Sequence, residues 1–130
     1  MLLGQRGQMT AQQAAEASIP YNYAPDTPRE RIEEDWAVRF PLACTNEGYL
    51  AQVVGSSRWD GYDRIEGITA PTLVIHGERD ALVPPENGRI ISGRIPGAEL
   101  VMIPNANHVL MTDQPEHVSK VLVEWLHRNR

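Results

Sequence analysis

Apolar residues recur at helical spacing in the first half of the chain and gather in short unbroken runs in the second. Ile32, Trp36 and Phe40 stand four apart, which places them on one stripe of a helix. Thr27 predicts the N-cap of that helix, Pro28 its first position and Glu30 the return hydrogen bond, and Pro41 ends it. The acidic run Glu33-Glu34-Asp35 falls mostly off the stripe and reads as a solvated face. Residues 11–17, rich in Ala, Gln and Glu, predict an earlier helix with Thr10 and Gln13 as a capping box and Pro20 as its stop. Thr45 predicts a third helix, with Tyr49, Leu50, Val53 and Val54 as its buried side and Gly55 as its C-terminal stop.

The pattern changes after residue 65. Leu73-Val74-Ile75 is an apolar, β-branched run entered through Ala70-Pro71 and closed at Gly77, the expected form of a strand buried on both faces. Leu100-Val101-Met102-Ile103, closed by Pro104, predicts a second. Between them a helix is expected from Pro85 to about Ile95, with Ile91 and Ile95 on one face and Ile90 beside it. Gly88 and Gly93 each weaken it by about 1 kcal/mol relative to Ala. Asp113 with Glu116 predicts a capping box, and Val118, Val121, Leu122, Trp125 and Leu126 mark an amphipathic terminal helix. Two buried strands joined by a helix imply a parallel pair with a right-handed crossover.

Charge and cysteine usage then narrow the partners. The 130 residues carry 12 Lys plus Arg against 17 Asp plus Glu, a net charge of −5. That balance lacks the clustered basic residues that nucleic acid or an anionic membrane requires. A hydrophobic fraction of 42% is ordinary for a globular chain, which argues against wholesale disorder. The single cysteine, Cys44, excludes an intrachain disulfide and reads as a small buried apolar residue. No apolar run approaches the roughly 18 residues that span a bilayer. Residues 1–7 hold too short an apolar stretch for a secretory signal. A soluble, cytoplasmic chain is the expectation.

Two loops hold the informative side chains. Gly77-Glu78-Arg79-Asp80 follows the first strand and Asn105-Ala106-Asn107-His108 the second. Adjacent parallel strands release such loops at one edge of the sheet, so Asp80 and His108 are expected as neighbours. A carboxylate accepting from one imidazole nitrogen frees the other to take a proton from a nucleophile. His76, at a strand end, reads as packed and hydrogen-bonded, and His117 and His127 as surface residues. No H-x-x-x-H or H-x-H spacing supports a metal site, and no cofactor is implied.

These residues carry a resemblance. The stretch from Ala70 through His76-Gly77-Glu78-Arg79-Asp80 to Pro84 resembles the strand and loop that deliver the acid in the α/β-hydrolase superfamily. Ile95-Pro96-Gly97-Ala98-Glu99-Leu100, Ala106-Asn107-His108 and Gln114-Pro115-Glu116 resemble the segment delivering that family's histidine and last helix. Enol-lactonase-like and cofactor-free perhydrolase-like members are similar more loosely from Glu47 to Ile65. Asn107 stands where Gly commonly precedes the histidine, and Asn tolerates left-handed backbone. The resemblance implies a partial α/β-hydrolase fold: a helical lid segment over residues 1–64, then the last two parallel strands of the core sheet with flanking helices over residues 65–130.

It also exposes a gap. No G-x-S-x-G nucleophile elbow occurs in these 130 residues, nor an Asp or Cys version of it. Gly55-Ser56-Ser57-Arg58-Trp59 has Trp at the second Gly and follows a helix, so Ser57 is the least favoured nucleophile. The leading expectation is the acid and histidine portion of a serine-type hydrolase for a small ester or lactone, inactive unless complemented. Alternatives are a non-enzymatic truncated fragment or self-associating module, and a minimal esterase using Ser57. Trp36, Tyr49 and Trp59 are candidates for lining an apolar pocket. The strand over residues 72–76 is expected to leave an edge open, through which the chain would self-associate.

Overall fold

A computed structural model describes residues 9–129; the N-terminal stretch read as too short for a signal lies outside them. In order, the elements are α1 (Ala11–Asn22), α2 (Arg29–Arg39), a 3-10 turn (Phe40–Leu42), α3 (Asn46–Arg58) and a second 3-10 turn (Ile65–Gly67). Then come β1 (Leu73–Gly77), α4 (Pro85–Arg94), β2 (Glu99–Ile103), α5 (Leu110–Asp113) and α6 (Pro115–Arg128). β1 and β2 form the expected parallel pair, Leu73 opposite Glu99 and Gly77 opposite Ile103. In this register both strands end together, so the 78–84 and 104–109 loops leave from one edge.

Side-chain caps set the starts of α1 and α3, whereas α2, α4, α5 and α6 begin without one. Thr10 and Gln13 form the predicted capping box. α1 nevertheless continues past Pro20 to Asn22. A proline this near the C-terminus removes one i→i−4 bond, and its exposed ring costs the helix no packing. Thr45 caps α3 through Gly48, yet that helix runs through Gly55 to Arg58. α2 begins with Pro28 as N-cap, because the Thr27 hydroxyl donates to Asp113 instead. Asp113 in turn does not cap α6, which starts after Gln114 with no side-chain cap.

Two small cores result. Tyr23, Ile32, Trp36 and Val109 pack together, with Ala15 and Ile19 against them. Ile103, Ala106 and Val118 form the other, flanked by Ile75, Val101 and Leu110. Burial falls short of the pattern elsewhere. Leu73 to His76 are only half-buried, so β1 is not enclosed on both faces. α3 buries no residue, with Leu50 59% exposed. Ile90 and Ile91 on α4 and Leu122 and Leu126 on α6 are also exposed. A sheet of two strands offers each helix less surface than its stripe asks for. Cys44 is exposed as well, against the expectation of a buried apolar role. Among the described residues no helix is long and apolar enough to cross a membrane.

Candidate functional site

The edge where β1 and β2 end is held together by backbone before any side chain acts. Glu78 N–H donates to the Ile103 carbonyl and Arg79 N–H to that of Ala106, at 3.0 and 2.9 Å. Gly77 makes this approach possible, since a Cβ there would collide with the Ala106 and Asn107 carbonyls. The two loops are thus one unit, and they bring Asp80 and His108 together.

Asp80 is 8% exposed. Its Oδ1 accepts from the N–H groups of Leu82 and Val83, at 2.9 and 2.8 Å. Its Oδ2 lies 3.0 Å from His108 Nδ1. Burial raises the Asp80 pKa, but the Val83 N–H, the His108 hydrogen bond and the Leu82 N–H together outweigh it and hold the carboxyl below its ordinary value. A carboxylate only accepts, so His108 Nδ1 carries the hydrogen and Nε2 presents a lone pair. The His108 ring is 38% exposed, which leaves Nε2 room to meet another group.

His108 is anchored through its neighbours. Asn107, 4% exposed, accepts from Ala81 N–H and His108 N–H on its side-chain oxygen, and donates to the carbonyls of Pro20 and Tyr23. Its backbone is not left-handed; Asn105 takes that conformation, at φ 58°. The Asn107 side chain therefore does what glycine cannot, tying both loops to the α1–α2 corner. Asp113, 5% exposed, completes the joint by accepting from Asn107 N–H, Ala24 N–H and the Thr27 hydroxyl at 2.7, 3.0 and 2.6 Å. Val109 N–H donates to the Asn22 carbonyl at 2.8 Å.

The remaining candidates separate cleanly. His76 is packed and hydrogen-bonded, its Nε2 3.1 Å from the Val83 carbonyl and 3.4 Å from Asp80 Oδ2. His117 and His127 are exposed on α6. Ser57 lies in the last turn of α3, its hydroxyl donating to the Val54 carbonyl at 2.9 Å. Among the described residues no group of three or more His, Cys, Asp and Glu is arranged to hold a metal ion. A cavity of about 590 Å³ lies between α1, α2 and the start of α3, with Tyr23, Trp36, Phe40, Cys44 and Tyr49 in its walls. Trp59 is not among them; it stands 68% exposed beneath Arg64. Asp35, read as part of a solvated face, instead accepts from the Tyr23 hydroxyl at 2.6 Å and pairs with Arg39.

A parallel pair delivering a carboxylate and an imidazole to one edge is what the second half of an α/β-hydrolase core provides. The chain belongs to the alpha/beta hydrolase fold family, whose sequence model matches residues 7–115. It is similar to a thermophilic esterase from Thermogutta terrifontis, at 34% identity and a TM-score of 0.75, over 88% of this chain and 43% of that one. The enol-lactonase of Burkholderia xenovorans LB400 shares the fold at 24% identity and a TM-score of 0.81, over 97% of this chain and 48% of that one. A poly(3-hydroxyalkanoate) depolymerase of Ectopseudomonas oleovorans is 31% identical over 83 residues, 64% of this chain and 29% of that protein. The chain spans less than half the length of each of these relatives, and with its two parallel strands it is a partial α/β-hydrolase fold.

Proposed function

We propose that this chain carries the acid and the general base of a serine-type hydrolase acting on a small ester or lactone, with Asp80 as acid and His108 as base. One observation carries the reading: the 3.0 Å contact of His108 Nδ1 with a carboxylate whose other oxygen is already held by two backbone N–H groups. Nε2 is then free to take the proton of a serine hydroxyl as its oxygen adds to the carbonyl carbon. The same proton passes to the departing alcohol. Water repeats the sequence on the acyl-serine, releasing the acid and restoring the hydroxyl.

The attacking serine in this reading comes from outside these 130 residues, on the same polypeptide or another. The commitment of the Ser57 hydroxyl to an α-helical carbonyl supports that. Esterase, lactonase and depolymerase among the similar proteins support an ester-type bond as the target. Residues 1–64 act as the cap and residues 65–130 as the core unit. The chain alone is inactive.

The test is fluorophosphonate labelling read by intact mass, beside p-nitrophenyl ester turnover. The chain alone stays unlabelled. Adding a polypeptide that carries a relative's nucleophile elbow gives labelling of that polypeptide and turnover that His108→Ala abolishes. Labelling of Ser57 with turnover by the chain alone overturns the reading. A second reading, a self-associating module without activity, is favoured by the incompletely buried strand β1 and the apolar residues left open on α4 and α6.

A further inference from the structure

We propose that His76 is the positioning residue of the acid loop: it grips Val83, and through Val83 it holds Asp80 with Oδ2 aimed at His108. This rests on reading Asp80 and His108 as acid and base.

His76 is the fourth residue of β1, with its side chain 13% exposed. Its Nε2 faces two acceptors, the Val83 carbonyl at 3.1 Å and Asp80 Oδ2 at 3.4 Å. Nε2 therefore carries a hydrogen and spans both. Val83 is fixed from each end, its carbonyl by His76 and its N–H by Asp80 Oδ1 at 2.8 Å. The ring of contacts closes on Asp80 itself, because one imidazole touches the oxygen that His108 uses while tethering the loop that holds the other oxygen.

α4 pins the imidazole from a third side. A Cβ at Gly88 would lie 3.0 Å from both Cβ and Nδ1 of His76 and 3.1 Å from its Cγ. Glycine weakens a helix interior relative to alanine, and here it leaves the space the imidazole fills. Strand, loop and helix thus meet the His76 ring from three sides. Asp80 then cannot rotate its carboxylate away from His108 without breaking contacts on both oxygens.

Nitrogen-15 NMR of the full chain at neutral pH tests this without needing activity. The wild type is expected to show a downfield Nδ1 proton for His108 and the Nε2–H tautomer for His76. In His76→Leu the His108 signal is lost to exchange and its tautomer shifts towards Nε2–H; His76→Gln, which keeps a donor, restores both. Gly88→Ala, which leaves every donor and acceptor in place but crowds the ring, weakens the His108 signal. If His76→Leu does not fold by circular dichroism, Gly88→Ala decides, and an unchanged His108 signal there overturns the proposal. A folded His76→Leu with His108 unchanged also overturns it. Absence of the Nδ1 proton in the wild type overturns the acid–base reading itself, and the positioning role with it.

Discussion

Asp80 holds two different kinds of partner on its two oxygens, and each predicts a separate measurement. On the proposed acid–base reading, Asp80→Asn in the complemented protein is expected to lower kcat by about 10⁴-fold, because an amide no longer enforces the Nδ1–H tautomer of His108. Steady-state ester turnover checks it. The depressed carboxyl also ties stability to acidity. The unfolded chain binds a proton at Asp80 more readily than the folded one, so stability rises with pH through that window. The Asp80 contribution is complete above the ordinary value of 3.8 and fades as pH falls through the lower folded value. Urea midpoints are therefore expected to fall as the pH is lowered past 3.8, and the part of that fall due to Asp80 disappears in Asp80→Asn. Both residues of this pair were legible from the sequence, since strand ends and a shared edge place them without coordinates. Asn107 and Asp113 were not. Each has partners more than 80 residues away along the chain, and no local pattern announces a side chain whose function is to satisfy distant backbone.

Caps and stripes each hold in some helices and fail in others: α2 loses its Thr27 cap yet buries Ile32 and Trp36. Thr10 and Thr45 start α1 and α3 as spacing predicts, because an N-cap acts within four residues. Burial depends on what lies opposite, so the Leu50 and Val54 side of α3 is open although its periodicity is sound. Thr27 shows the two scales competing, for its hydroxyl leaves the start of α2 to reach Asp113. Removing that carboxylate strands three donors, two of them main-chain N–H groups. At about 1 kcal/mol or more for each buried group left unpaired, Asp113→Ala is expected to lose roughly 3 kcal/mol. Chemical denaturation checks the size. Retention of the full wild-type midpoint would show that the joint between the α1–α2 corner and the histidine loop contributes nothing to folding.

For the molecule as a whole, family and partial fold could be read from Ala70 to Glu116 because the motifs there are dense and ordered. Exposure could not, since it depends on how much sheet stands behind each helix. Leu73 to His76 remain half-buried, with Ile90, Ile91, Leu122 and Leu126 open nearby. Such an edge and such faces draw other polypeptide. Light scattering at micromolar concentration is expected to give a mass above that of one chain. Lys in place of Val74 is expected to return it to the monomer value, while a strictly monomeric wild type would remove self-association from consideration. α3 points to a different use of the same architecture. It buries none of its own residues, whereas His108 is moored to the corner between α1 and α2. Helices of other length or sequence can thus be spliced in between Leu42 and Ile65 while the joint that holds Asp80 against His108 stays untouched.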